Sequence, residues 1–374
     1  MRFNDIPGHY EEKESLRRLV DENRLPHALL IFGAPGRGKL MLARALASYM
    51  HCTNRTADGD SCGKCASCRQ HASYNHADVH YTFPTLKKKS DDSGHSADFI
   101  NQWKEFLTET PYADISAWLN KLGKPNGQPV IYRTEGEALS RSLNYTSRSS
   151  DYKIAIIWLP ERFNRECANK LLKLIEEPFP DTKMIFVSNN PSEILPTIYS
   201  RLQRLEIKSP APEFMASELQ HCFSSLTPDE ALDVAKASSG NMNVAMEMLS
   251  GESDNMLKLF IALMRIAYQR KVSEMRRWAE ELSSIGREGQ IKFLDFCCRM
   301  MRENFINNTG IDSLTGMTRN EKVFSDKFSR FINSRNVLSL LNEFERAKTD
   351  ISSNGNAKII FFDLGLHITL LIKE

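Results

Sequence analysis

The chain has 374 residues, 41% of them hydrophobic and 26% charged, the composition of an ordinary globular protein with length enough for two or three domains. Its 49 Lys and Arg against 47 Asp and Glu leave a formal charge of +2, which excludes a global attraction to nucleic acid or anionic membrane and leaves such contacts to local patches. The eight cysteines divide into a cluster, Cys52, Cys62, Cys65 and Cys68, and the scattered Cys167, Cys222, Cys297 and Cys298, a distribution that points to metal rather than disulfides.

Met1 to Tyr10 carries charges and Pro7 where a secretory signal needs an apolar run, so a cytoplasmic location is expected. His27 to Phe32 reads as a buried strand, Gly33 to Gly38 as a turn and Leu40 to Tyr49 as a helix. Gly33-Ala34-Pro35-Gly36-Arg37-Gly38-Lys39 fits the phosphate-binding loop, in which backbone N–H groups and a helix N-terminus wrap phosphates while the lysine reaches the terminal ones. The next position departs from the motif: Leu40 stands where a Ser or Thr hydroxyl would hold magnesium, so Gly33, Gly36, Gly38 and Lys39 are candidate ATP or ADP ligands at a site ill-equipped for hydrolysis. Cys52, Cys62, Cys65 and Cys68 then supply four thiolates at a spacing that suits a closed structural zinc site, with an iron–sulfur cluster as the alternative on spacing alone. His51 and His71 flank the module and are not needed, because four sulfurs complete the shell.

Residues Phe83 to Ser150 form a long, weakly patterned stretch, in which Phe99, Trp103, Phe106 and Leu107 mark a short amphipathic helix. Its Lys87-Lys88-Lys89 run reads as a solvated loop rather than a DNA contact, because opposite charges follow at once. Lys153 to Leu159 is a second buried strand, Asn164 an N-cap, and Ala168, Leu171, Leu172 and Ile175 the apolar stripe of a helix that Pro178 ends. Met184 to Ser188 is a third strand. Strands alternating with helices predict a mostly parallel sheet covered on both faces. After Ser209-Pro210-Ala211-Pro212, a plausible hinge, the pattern is helical throughout, with candidate helices over Met256–Ala267, Arg287–Met301 and Val337–Ala347. Ile359 to Ile372, too short and too interrupted by Asp363 and His367 to span a membrane, reads as a buried core helix capped by Asn356.

The phosphate loop with four cysteines inserted soon after its helix, Lys153-Ile154-Ala155-Ile156-Ile157, the run Leu171-Leu172-Lys173-Leu174-Ile175-Glu176-Glu177-Pro178, and Leu195-Pro196-Thr197-Ile198-Tyr199-Ser200-Arg201 together resemble the bacterial DNA polymerase III clamp-loader subunits of the AAA+ class. The resemblance implies an α/β P-loop domain over 1–208, carrying the zinc module at about 51–71 and an insertion at about 83–150, then a helical lid at 209–252 and a helical collar at 253–374 that joins subunits into a pentamer. It implies motor (gamma/tau) and delta subunits, the sliding clamp and primer–template DNA as partners. Motor subunits of the family carry an Asp-Glu pair after the second strand, where this chain has Trp158 and Leu159, and Glu161 two residues on is expected to face elsewhere. They carry a lid arginine where this chain has Asn243. Arg201 matches the family's arginine finger, which acts on a neighbouring subunit's ATP, although Leu202 replaces the cysteine that follows it there. This pattern resembles the delta-prime branch, a stator without ATPase activity of its own. The alternatives are a gamma/tau-type ATP-hydrolysing motor, which lacks magnesium ligands here, and a zinc-dependent DNA reader, which the near-neutral charge and Asp58 and Asp60 beside the cysteines argue against.

Overall fold

Ala28–Phe32 (β1), Val79–Thr82 (β2), Lys153–Trp158 (β3), Thr182–Ser188 (β4) and Gln203–Glu206 (β5) pair into one wholly parallel sheet in the order β2-β3-β4-β1-β5. The computed structural model describes residues 1–87, 94–147, 149–310 and 315–373, with the sheet in the first of two units, Met1–Pro210 and Ala211–Glu374. The first unit's helices are Tyr10–Asp21 (α1), Lys39–His51 (α2), Ala66–Ala72 (α3), Ile100–Glu109 (α4), Ile115–Lys121 (α5), Arg133–Asn144 (α6), Arg165–Glu176 (α7) and Pro196–Tyr199 (α8).

The sheet sends alternate side chains to opposite faces, and both faces are covered. On one, Leu29, Ile31, Ile154, Ile156, Ile185 and Val187 join a core with Leu42 and Leu46 of α2. On the other, Leu30, Ala155, Ile157, Met184 and Phe186 join a core with Leu139 of α6 and with Ala168, Leu171 and Ile175 of α7. α2 is buried along its whole length. The Asn164 side chain accepts from Cys167 N–H and caps α7, whose last residue is Glu176.

The stretch expected to be weakly patterned apart from one short helix contains more regular structure than that. It holds α4, α5 and α6, and its aromatic residues fill the space beyond the end of β3. Phe83 stacks on Trp103 at a centroid separation of 4.1 Å, Trp118 meets both rings edge-on at 5.3 Å, and Trp158 lies 5.2 Å from Trp103. Trp118 Nε1–H donates to Pro84 O at 2.8 Å, so the one polar atom of that buried ring is satisfied. α4 is the amphipathic helix expected from Phe99, Trp103, Phe106 and Leu107, whereas α5 and α6 are not legible because each contributes few apolar residues to the core. Residues 88–93 of the lysine-rich loop lie outside the described residues. Lys87 sits 4.8 Å above the Tyr132 ring.

The second unit contains Pro212–Cys222 (α9), Pro228–Ala237 (α10), Met242–Leu249 (α11), Glu252–Gln269 (α12), Val272–Ser284 (α13), Arg287–Asn307 (α14), Arg319–Phe328 (α15), Val337–Ser352 (α16) and Ala357–Leu371 (α17). Phe260, Trp278, Phe293, Met300, Phe344 and Phe361 centre its core. Asn356 caps α17 through Lys358 and Ile359 N–H. The terminal helix expected as a buried core helix is buried on one face: Phe361, Leu364 and Ile368 are in the core, but Ile359 and Leu370 are 68% and 67% exposed. α17 packs against α12, α13 and α16, and its exposed side also carries Asp363 and His367. Among the described residues, no helix is long and apolar enough to cross a membrane.

Candidate nucleotide, metal and arginine sites

The phosphate loop joins β1 to α2 and depends on its glycines. Gly33 has φ 149° and a Cβ there would lie 2.5 Å from Ile207 O, so only glycine lets the loop pass the backbone just beyond β5. Gly38, at φ 69°, is the left-handed N-cap of α2. Lys39 follows as the first residue of α2, only 4% exposed, and its Nζ donates to Ala34 O at 2.6 Å. Burial drives Lys39 down to about 7 from the usual 10.5, although the Glu161 carboxylate pulls it upward. The lysine thus turns inward on its own loop.

Glu161 stands differently from the expectation. Leu159 adopts the left-handed region at φ 58°, and the turn Pro160–Arg162 that follows brings Glu161 back over the sheet end. Its Oε1 accepts N–H bonds from Asn189 at 3.0 Å and Asn190 at 3.3 Å, and it lies within electrostatic range of Lys39. Burial raises its carboxyl above the usual range. Leu40, Trp158 and Leu159 are buried and contribute no oxygen to the loop.

The remaining opening at the loop is a cavity of about 10 Å³, lined by Gly38, Lys39, Tyr112, Trp158 and Asn189 among others. That is room for about one water, against the several hundred Å³ of an ordinary ligand pocket. Tyr112 closes it from the connection between α4 and α5: its Cε1 lies 3.7 Å from where a Gly38 Cβ would stand. Pattern reading has no signal for this, because Tyr112 lies in an unpatterned turn.

The four clustered cysteines converge. Their Sγ atoms lie within 4.8 Å of one another, and Cys62 and Cys68 are 3.9 Å apart. A tetrahedral zinc with bonds of about 2.3 Å requires sulfurs about 3.8 Å apart, so the donor set fits that ion. Backbone N–H groups already point at the sulfurs: Cys62 N donates to Cys52 Sγ, Lys64 and Cys65 N to Cys62 Sγ, and Cys68 N to Cys65 Sγ, at 3.2–3.4 Å. The N–H groups of Lys64 and Cys65 hold the Cys62 thiol below its usual range, favouring the thiolate a metal requires. Gly63, at φ 69°, makes the bend between the second and third sulfurs.

His51 and His71 stand apart from that shell and join His76, which sequence reading missed, in a second buried cluster. His51 Nε2–H donates to Tyr152 O at 2.9 Å, so its Nδ1 accepts from His71 Nε2–H at 3.0 Å. His76 Nδ1 accepts from Asp78 N–H and its Nε2 meets Ser67 Oγ at 3.1 Å. Burial lowers His51 to about 4 and His71 to about 2, so the rings are neutral at pH 7. Ring nitrogens of the three histidines lie within 4.8 Å of one another, and each ring is held by these hydrogen bonds.

Arg201 follows α8. Its Nε donates to Glu176 Oε1 at 2.7 Å, its Nη2 meets the same oxygen at 2.6 Å, and its Nη1 donates to Thr197 O at 2.8 Å. Leu202 is buried, taking a core position. Asn243 belongs to the first turn of α11 in the second unit, where its N–H donates to Asn241 Oδ1.

Residues 8–211 match the model of the family described as DNA polymerase III, delta subunit. A Haemophilus influenzae DNA polymerase III subunit delta-prime is 25% identical over 96% of this chain and 94% of its own length. A Pseudomonas aeruginosa delta-prime subunit is 29% identical over 60% of this chain, which spans 56% of that relative. The Haemophilus influenzae tau/gamma subunit is 23% identical over 66% of this chain and 30% of its own length.

Proposed function

Because the chain belongs to the DNA polymerase III delta subunit family, we propose that it is a delta-prime-like stator of the clamp loader, completing a neighbouring motor's ATP site without hydrolysing ATP itself. The observation that carries this reading is a phosphate loop kept in shape yet closed: Lys39 bonds its own loop, Tyr112 and Trp158 occupy the approach, and no hydroxyl or paired carboxylates stand where magnesium and water must be held. ATP or ADP at Gly33, Gly36, Gly38 and Lys39 is vestigial in this account. Arg201, 41% exposed, has one outer N–H, on Nη2, left over from its contacts to Glu176, Thr197 and Ser200 for a phosphate supplied from outside.

In the same reading, residues 1–208 are an AAA+ P-loop domain, 209–252 a lid, and 253–374 the collar that assembles with motor (gamma/tau) and delta subunits into a cytoplasmic hetero-pentamer. Sliding clamp and primer–template DNA are engaged through that assembly. Cys52, Cys62, Cys65 and Cys68 hold a structural zinc ion, which when bound ties the module to the end of α2.

Glu161 is the observation that favours the motor reading, since it brings a carboxylate toward Lys39. It serves as a brace, accepting from Asn189 and Asn190 N–H, and Leu40 still offers magnesium nothing. The test is reconstitution with motor and delta subunits, clamp and primed DNA. The chain alone shows no ATP turnover above background, and the mixture loads clamps only when the chain is present. Turnover by the chain alone at about one per second, abolished by Lys39→Ala, assigns the motor role instead.

A further inference from the structure

Glu176 is tied to Arg201 across 25 residues of sequence, by an ion pair that stability does not explain. The two side chains are 47% and 41% exposed, and exposed pairs of this kind contribute about 0–1 kcal/mol. What distinguishes the pair is its framing. Glu176 ends α7 directly after Leu174 and Ile175, both buried in the core beneath the sheet, while Arg201 follows α8, whose Ile198 enters the same core and whose neighbour Leu202 is also buried. Both side chains therefore leave from elements that packing holds fixed.

The contact pattern on the guanidinium is directional. Nε and Nη2 share Glu176 Oε1, and Nη1 takes Thr197 O and, at 3.4 Å, Ser200 Oγ. An arginine has five N–H donors in a rigid planar fork. These contacts engage four of the five donors and fix the plane of the fork, leaving one N–H on Nη2 to meet a phosphate from outside.

We propose that Glu176 is a positioning residue for Arg201, aligning its guanidinium for the γ-phosphate of a nucleotide held by the neighbouring subunit; this rests on the stator reading of Arg201. Glu176 touches no nucleotide and acts only through the arginine. Misplacing a catalytic group by about 1 Å costs on the order of 10²-fold in rate, so loss of this alignment falls on the hydrolysis step and leaves nucleotide affinity in place.

The experiment uses the reconstituted clamp loader, with assembly checked by size, and measures single-turnover hydrolysis and nucleotide affinity for wild type, Glu176→Ala, Glu176→Gln, Arg201→Ala and the Glu176→Ala/Arg201→Ala pair. Glu176→Ala slows hydrolysis about tenfold or more at unchanged affinity. Glu176→Gln, which keeps an acceptor at the same atom, restores much of the rate, and the double variant is no slower than Arg201→Ala. Wild-type hydrolysis by Glu176→Ala in a complex that Arg201→Ala cripples overturns the positioning role and leaves the finger standing. A double variant slower than Arg201→Ala shows that Glu176 acts independently and also overturns it. If Arg201→Ala itself hydrolyses normally, the finger reading falls and the positioning role falls with it.

Discussion

Replacing Lys39 with methionine stabilises the first unit, and by an amount that depends on pH. The side chain is buried, and its folded-state value of about 7 lies well below the 10.5 of an exposed lysine. A lowered lysine value means that the unfolded chain binds the proton more tightly, so the contribution to stability is fully present only above the unfolded value and is lost as pH falls toward 7. At about 1.36 kcal/mol per pH unit, the difference between 10.5 and about 7 corresponds to a burden of roughly 4–5 kcal/mol below pH 7. At pH 9 the unfolded lysine is still charged while the folded one is neutral, and the burden falls to about 2 kcal/mol. Methionine is similar in length and does not titrate, so constant terms, including the lost bond to Ala34 O, cancel between two pH values. Urea unfolding of wild type and Lys39→Met at pH 6 and pH 9 should therefore give a stability difference between the two proteins that shrinks by about 2–3 kcal/mol at the higher pH. A difference independent of pH refutes the buried, inward-turned lysine, and with it the closed loop.

Tyr112→Gly opens the loop: a fluorescent ADP analogue should bind the variant at least tenfold more tightly than wild type, and equal affinities in a titration would show that Tyr112 is not the barrier. Trp158→Asp, which replaces an indole packed on Trp103 and Phe106 with a buried carboxylate, should lower stability by about 3 kcal/mol or more in urea unfolding and restore no ATP turnover. Elemental analysis of protein prepared without chelators should return about one zinc per chain, and Cys65→Ser should lose it and soften the first unit to proteolysis around α3. A metal-free wild type ends that assignment.

The parts of the fold legible in the sequence are those where one physical signal dominates. β1, β3 and β4 are continuous apolar runs because both faces of the sheet are covered, and α7 shows its stripe, its Asn164 cap and its proline stop. β2 and β5 are not legible: they lie at the sheet edges, are four residues long, and Gln203-Arg204-Leu205-Glu206 is mostly exposed and polar. At the candidate sites, the loop glycines, Lys39 and the four cysteines stand out by spacing. Glu161 does not, because its direction depends on a left-handed Leu159 that a strand pattern never announces. The closure by Tyr112 and the approach of His76 to His51 and His71 depend on long-range packing and carry no local pattern.

In the stator reading, this chain contributes to ATP hydrolysis through Arg201 and not through its own phosphate loop. DNA-stimulated ATPase of the reconstituted clamp loader, measured with Arg201→Ala and Lys39→Ala beside wild type, tests it directly. Arginine fingers supplied in trans contribute about 10³–10⁵ in rate at the site they serve, so Arg201→Ala should assemble normally and sharply slow the neighbouring site, while Lys39→Ala stays close to wild type. Normal hydrolysis with Arg201→Ala together with collapse in Lys39→Ala would contradict the account and make this chain a motor.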